Sequence, residues 1–294
     1  MKRFCLGCFF ILAFQPLFSQ NWAGKHFKKI GIKNLYNIHY VGRNTFVAQD
    51  DVTDKYGYID RDGKIVIPFT YEWLGCYSEE LIPYVNEGKY GYINTSNKIE
   101  INNIYKEADS FHEGVAAVTI DGEKFGFIDR KGECVIPFKF DYSCRFSEGL
   151  AAIKIKDKWG YIDHSGDVVI DTLYDRVNDF MLGSAIVGIC IGEKIEVNDE
   201  YGNHYFYRKT KYGLIDHNGR LLTPLEYDKI GELKGDKYIV EKDNCFGVID
   251  VVGQVVLPCI YNGLSNLGTH EALWLDSRKI FIDDFGKIMD ELPI

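Results

Sequence analysis

The sequence predicts an all-β protein built from seven repeats, and three observations predict it. First, a pattern of aromatic residue, glycine, a second aromatic or aliphatic residue, isoleucine, and Asp or Asn recurs along most of the 294 residues. The copies are Tyr56-Gly57-Tyr58-Ile59-Asp60, Tyr90-Gly91-Tyr92-Ile93-Asn94, Phe125-Gly126-Phe127-Ile128-Asp129, Trp159-Gly160-Tyr161-Ile162-Asp163, Tyr212-Gly213-Leu214-Ile215-Asp216 and Phe246-Gly247-Val248-Ile249-Asp250, with a degraded seventh, Lys279-Ile280-Phe281-Ile282-Asp283. Their last residues are 34, 35, 34, 53, 34 and 33 positions apart, and a period of about 20 to 50 residues marks solenoids, propellers and arrays. Second, a glycine follows three residues later, at Gly63, Gly132, Gly166, Gly219, Gly253 and Gly286, with Asn97 in its place in the second copy. Asp at the first position and Gly at the fourth is the signature of a type I turn. Third, no capping box opens a run of helical periodicity anywhere in the chain.

Taken in order, Met1 to Gln20 differ in kind from the rest. Lys2 and Arg3, an apolar run from Phe4 to Phe14, then Pro16 and Ser19 have the layout of a secretory signal peptide, and the run is too short to span a bilayer. The expectation is export to the periplasm, the outer surface or the medium, with residues 21–294 as a single repeat domain. Loss of Lys2 and Arg3 would take the formal charge from −9 to −11. Asn21 to Lys29 read as a lead-in, and the first repeat opens near Ile30, with strand signals at Tyr40-Val41 and Thr45-Phe46-Val47-Ala48.

Each full repeat then has the same order. A run such as Phe146-Ser147-Glu148-Gly149-Leu150-Ala151-Ala152-Ile153 reads as a turn and a strand. A short turn leads into the aromatic-glycine strand, and after the Asp-Gly turn comes Ile65-Val66-Ile67-Pro68 or its equivalent. A Tyr or Phe followed by a polar residue closes the unit, as in Tyr71-Glu72, Phe140-Asp141, Tyr174-Asp175 and Tyr227-Asp228. That order predicts three clear strands and one marginal strand per repeat. Side chains alternate faces along a strand, so the aromatic residues and the Asp share one face while Gly and Ile share the other. Glycine within a strand marks a place where another group comes close, and the expectation is that an aromatic ring of the neighbouring repeat packs over it. Closure into a seven-bladed, β-propeller-like array protects sheet edges and is the first reading of the architecture. An open β-solenoid or superhelical stack is the alternative.

The repeat that ends at Asp216 is 19 residues longer than the usual 34. The surplus, at about 193–211, reads as two arms, Lys194-Ile195-Glu196-Val197 and His204-Tyr205-Phe206-Tyr207, around a turn from Asn198 to Asn203. This predicts a hairpin that prolongs two neighbouring strands. Insertions in repeat proteins map to loops on one face, often the binding face, although long loops are also tolerated at little folding cost. Tyr201, His204, Tyr205, Phe206 and Tyr207 are the candidate partner-binding residues.

Composition narrows the functions further. Apolar residues make up 46% and aromatic residues 15% of the chain, enough for a continuous core. The acidic balance argues against nucleic acid and anionic membranes, both of which are bound through clustered Lys and Arg. Cys76, Cys134, Cys144, Cys190, Cys245 and Cys259 fall at different phases of the repeat without C-x-x-C spacing, so neither a zinc site nor a repeated disulfide framework is implied. Turn formation explains the repeated Asp better than calcium binding, which needs several oxygen ligands close together. Glu79, Glu113 and Glu148 recur before a strand; as a pair they would do acid-base work only at a defined separation. The seven histidines show no metal-binding spacing, and no nucleophile motif or phosphate loop is present. Tyr and Phe could stack on sugars, but their phase with Gly and Ile assigns them first to the core.

The unit Lys158-Trp159-Gly160-Tyr161-Ile162-Asp163, with Gly166, Val168-Val169-Ile170 and the upstream Phe146-Ser147-Glu148-Gly149-Leu150-Ala151, resembles the WG repeat of bacterial proteins. The resemblance runs from about Lys55 to Asp283. It implies a β-repeat architecture and carries over no catalytic residue. The expected function is therefore a non-enzymatic, exported scaffold, without metal or cofactor, that binds a protein or envelope component. Glycan or cell-wall binding is the alternative, and a hydrolase using carboxylates in a cleft comes third.

Overall fold

In the computed structural model the described residues are 25–28, 34–198, 204–266, 270–275 and 278–289. The proposed signal segment, Tyr201 and most of the inserted turn lie outside them. The chain divides into two compact units, Met1–Lys156 with Asp163–Asp167, and Asp157–Ile162 with Val168–Ile294.

Seven repeats each form an antiparallel meander in chain order. In the first unit they are Leu35–Gly42, Thr45–Asp50, Tyr56–Asp60 and Ile65–Tyr71; Trp73–Leu74, Leu81–Asn86, Lys89–Asn94 and Ile99–Tyr105; and Glu107–Ala108, Val115–Thr119, Phe125–Asp129 and Cys134–Phe140. The pair Tyr142–Ser147 and Leu150–Ile155 follows from the fourth repeat. The second unit holds the other pair of that repeat, Lys158–Ile162 and Val168–Tyr174. It continues with the three-stranded Arg176–Val177, Ala185–Asn198 and His204–Ile215, then Lys229–Lys234, Lys237–Lys242, Cys245–Asp250 and Val255–Tyr261, and last Gly263–Asn266, His270–Leu275, Arg278–Asp283 and Ile288–Met289. The marginal strand of the sequence reading is the first of each repeat, only two residues long at Trp73, Glu107 and Arg176. One helical turn, at 25–28, has no sequence signal; its Phe27 is buried edge-on against Phe46 at 5.2 Å.

A 34-residue period accommodates four strands because successive repeats are joined by almost nothing. At five of the joints a single residue, Glu72, Lys106, Asp141, Asp175 or Asn262, lies between the last strand of one repeat and the first of the next, whereas residues 216–228 separate the three-stranded fifth repeat from the sixth. The turn after the aromatic-glycine strand is the one the sequence predicts. In the first copy Gly63 N–H donates to Asp60 O at 3.0 Å, and Asp60 Oδ1 accepts from Asp62 N at 3.0 Å and Lys64 N at 2.9 Å. Asp163 repeats this with Ser165 and Asp167 at 2.9 and 3.1 Å. The Asp is thus occupied by its own turn.

The strand glycine has a different cause from the expected one. Trp159 pairs with Tyr174 and Tyr161 with Ile170, so a single residue, Gly160, faces a bulge of three. A Cβ on Gly160 would lie 2.4 Å from Ile170 O and 2.8 Å from Asp171 C. Gly126 stands in the same relation to Ile136 O at 2.6 Å and Phe138 N at 2.9 Å. The close neighbour is the backbone of the same repeat's fourth strand, not a ring from the next repeat, because the bulge pushes that backbone across the face of the sheet.

The rings pack elsewhere. Tyr58, Tyr92, Phe127 and Tyr161 are at most 2% exposed. Tyr92 meets Phe111 of the following repeat edge-to-face at 4.8 Å, Phe127 meets Phe146 at 5.0 Å, and Tyr161 meets Phe180 at 4.9 Å. The hydroxyls of Tyr92 and Tyr161 donate to the Asp109 and Asn178 carbonyls, each at 2.7 Å. A buried phenol needs such a partner, and each ring therefore joins two repeats. The fourth strands form the exposed edges, with Ile65, Val66, Val168, Val169, Val255 and Val256 in solvent. Pro68, Pro137 and Pro258 sit in their bulges, a placement that removes a donor where pairing would otherwise continue.

Candidate functional site in the fifth repeat

The predicted insertion hairpin is present, and its arms are continuous with the second and third strands of the repeat. Ala185–Asn198 runs for 14 residues and His204–Ile215 for 12, paired from Ala185 with Ile215 to Ile191 with Lys209 and, after a bulge in which residues 192–194 oppose Arg208, from Ile195 with Tyr207 to Asn198 with His204. At the inner end Ala185, Val187, Leu214 and Ile215 are buried. Beyond Cys190 the pair leaves the core, and residues 191 to 196 are all exposed. Ile191, Ile195 and Phe206 expose 41%, 45% and 57% of their surface. Polar side chains surround them: the His204 ring contacts the Glu196 carboxylate and meets Phe206 edge-on at 5.1 Å. Glu196 lies across the ladder from Phe206, Val197 from Tyr205, and Ile195 from Tyr207.

Two carboxylates anchor the base of this hairpin, one on each arm. Asp175 accepts from Lys158 Nζ and from Cys190 N, both at 2.8 Å. Asp228 lies 3.0 Å from Lys211 Nζ and 3.1 Å from Lys209 Nζ, and accepts from Asp243 N at 2.9 Å. Burial works to raise the Asp228 carboxyl, but the Asp243 N–H and the two ammonium groups outweigh it and hold the group at about 2. Both belong to a repeated device: the residue joining two repeats binds the Lys before the aromatic residue and a backbone N–H of the following hairpin. Asp141 does so with Lys124 and with Lys156 N, the latter at 2.7 Å. The sequence reading missed this, though a signal exists, since Lys124/Asp141, Lys158/Asp175 and Lys211/Asp228 share one spacing, and Cys245/Asn262 change together.

The other chemically suggestive residues have structural work. Glu79 accepts from Gly114 N at 3.0 Å and Glu113 from Gly149 N at 3.1 Å, each reaching the equivalent turn of the next repeat. His164 stacks on Phe146 at 4.0 Å and bonds Glu113 at 3.0 Å, while His217 stacks on Phe180 at 4.5 Å. Cys245 and Cys259 line a cavity of about 370 Å³ in the sixth repeat, with Glu226, Lys242 and Leu257; burial pushes the Cys259 thiol up. Among the described residues no group of three or more His, Cys, Asp or Glu is placed to hold a metal ion, and no helix is long and apolar enough to cross a membrane.

The meanders, with their repeated Asp-Gly turns and bulge-facing glycines, define a β-repeat scaffold. The chain belongs to the WG containing repeat family, whose profile matches residues 56–90, 90–123, 125–159, 159–183 and 212–244. The match stops at residue 183 and resumes at 212, so the hairpin lies outside the family unit. No curated protein matches the sequence. Among solved structures the chain is similar to BamB from Moraxella catarrhalis, with 11% identity over 83% of this chain and 78% of that one at a TM-score of 0.43. It is similar also to Kluyveromyces lactis Hsv2p, with 11% identity over 85% and 93% at 0.44. The Neurospora crassa Pan2 WD40 domain gives 13% identity over 82% and 85% at 0.39.

Proposed function

We propose that this protein is an exported, non-enzymatic scaffold that binds a protein of the cell envelope through the fifth-repeat hairpin. The observation that carries the reading is the hairpin itself. It interrupts the family unit, extends a core strand pair into solvent with Ile191, Ile195 and Phe206 exposed, and is fixed at its base by Asp175 and Asp228. An apolar surface on a rigid base binds with little ordering cost, which a disordered loop of the same composition would not. A glycan ligand has less support, because the repeated aromatic rings are committed to the core and, of the exposed rings described on the hairpin, the His204 ring is engaged by Glu196.

The test replaces residues 191–209 by a two-residue turn like Lys156-Asp157 of the fourth repeat and compares capture of envelope proteins by parent and variant. The reading expects specific capture by the parent and loss in the variant; equal capture by both overturns it. Binding of the parent to a glycan array, abolished by Phe206→Ala, would favour the glycan instead. Fractionation, with the mass of the purified chain, tests export and removal of the first residues.

A further inference from the structure

The sixth repeat has two short side chains where other repeats carry long ones. Its last two strands pair Phe246 with Tyr261 and Val248 with Leu257, as the first repeat pairs Tyr56 with Tyr71 and Tyr58 with Ile67 and the third pairs Phe125 with Phe140 and Phe127 with Ile136. Cys259 therefore stands where Phe69 and Phe138 stand. Cys245 stands where the first five repeats have Lys55, Lys89, Lys124, Lys158 and Lys211. Phe69 lies on its strand glycine, since a Cβ on Gly57 would meet the ring at 2.9 Å, and it packs on the cluster of Phe46, Ala48 and Ile59. Phe138 packs on the cluster that holds Ala116, Val118 and Ile128. The second repeat has Asn103 there, bonded to Tyr84 and to Asn86 O, and the fourth has Thr172 beside a retained Lys158. In the sixth the side chain over Gly247 is the Cys259 thiol, with Sγ 2.8 Å from an added Cβ. Cys245 and Cys259 border the cavity of about 370 Å³, whose walls include Tyr227, Ile249 and Leu257, and that volume is within the range of small-ligand pockets.

We infer that this cavity receives one aromatic side chain of a partner protein, a ring that takes the place over Gly247 which Phe69 takes over Gly57. The charged groups at the cavity, Lys242 and Glu226, pair with each other at 2.8 Å, so an uncharged ring suits it. Val255 and Pro258, both exposed, carry the apolar lining out to the surface. A chain bearing the ring covers them, whereas a free aromatic molecule inside the cavity leaves them in water. One aromatic anchor seated in a pocket, with weaker contacts around it, is the usual distribution of energy in a protein interface. The site lies in a different repeat from the hairpin and does not depend on it.

Methyl NMR of the full chain, titrated with N-acetylphenylalaninamide, tests this. Resonances of Ile249, Val255 and Leu257 are expected to shift with a Kd of about 1 mM, and N-acetylleucinamide should bind several-fold more weakly. Cys259→Phe supplies the ring from within and should abolish the shifts in an otherwise unchanged spectrum. Cys245→Lys restores the side chain of the other repeats and should weaken the binding, so the test stands even where Cys259→Phe does not fold. Absence of shifts in the parent at about 10 mM, equal binding of the leucine amide, or undiminished binding to either variant would each overturn the inference. Tighter binding of benzyl alcohol than of the phenylalanine amide would assign the cavity to a free aromatic molecule and overturn the protein partner. A chain with the hairpin replaced should bind the amide as the parent does, so failure at this site leaves the reading of the hairpin intact.

Discussion

Gly160 and Gly149 separate two reasons for which a β-repeat keeps glycine. Gly160 has an ordinary strand backbone but no room, since a Cβ would sit 2.4 Å from Ile170 O, and the nearest obstacle is main chain. Gly149 has φ of +83° and nothing within 4 Å of an added Cβ, so it has room but an adverse backbone. Relieving the contact at Gly160 requires the fourth strand to move by nearly 1 Å, which strains a bulge held by pairs on both sides. Overpacking of this kind costs about 1 to 3 kcal/mol and occasionally more, and we place Gly160→Ala near 3 kcal/mol and Gly160→Val beyond it. Gly149→Ala carries only the left-handed penalty of about 1 to 2 kcal/mol. At about 2 to 4 °C per kcal/mol for a unit of this size, the first should lower the melting temperature by roughly 6 to 12 °C and the second by roughly half as much or less. Thermal unfolding by circular dichroism, with urea titrations to confirm that the slope is unchanged, reads the difference. If Gly160→Ala melts at or above Gly149→Ala, the bulge account of the repeated glycine is wrong.

Other outcomes follow from the same geometry. Asp228 is held at about 2 in the fold against an ordinary 3.8; its stabilisation is therefore present above about pH 4 and is lost as pH falls towards 2, and Asp228→Asn should flatten the acid limb of a stability profile by about 1 kcal/mol. Tyr92→Phe removes the donor to the Asp109 carbonyl and should cost about 1 kcal/mol, whereas Tyr92→Ala empties the ring's place against Phe111 and should cost about 3 to 5 kcal/mol; chemical denaturation of the two variants measures both. Glu113→Ala frees Gly149 N and the His164 ring and should lower stability by about 1 kcal/mol, while Glu80→Ala, which removes only the exposed pair with Arg130, should be close to neutral in the same titration. Replacing the hairpin beyond Ile191 should leave the melting temperature within a few degrees of the parent, since its apolar side chains contribute exposed surface rather than core.

What could be read from the sequence was what is decided locally. Asp60 and Gly63 announce their turn because the Asp side chain and the positive φ of Gly63, +83°, act within four residues. The hairpin arms were legible because Lys194–Val197 and His204–Tyr207 are strand-like segments flanking a polar turn, and the structure pairs them in that sense. The features that escaped depend on distant partners. The glycine of the aromatic strand could be recognised as crowded, but the crowding group is a bulge some ten residues away that the pattern Ile-Pro does not spell out. The joining carboxylates Asp141, Asp175 and Asp228 were visible only as polar residues after an aromatic one, because their partners lie on other strands. Glu113 invited a catalytic reading for the same reason, as Gly149 is 36 positions away.

Where a single residue separates consecutive repeats, the joint has no slack. Glu72, Lys106, Asp141 and Asn262 each turn the chain from an edge strand straight into a new sheet, so a residue added or removed there has no loop to absorb it and shifts one of the flanking strands against its partner. The turn between the second and third strands is unconstrained in that sense, because its two arms pair with each other at the base whatever the loop length: the 19 residues inserted in the fifth repeat leave Ala185 opposite Ile215, as Ile82 is opposite Ile93 in the second. Length variation in such a chain is therefore channelled to one kind of loop. A foreign strand pair spliced in at Lys156-Asp157 or Asp243-Asn244 would inherit the same carboxylate-anchored base that already carries the natural one.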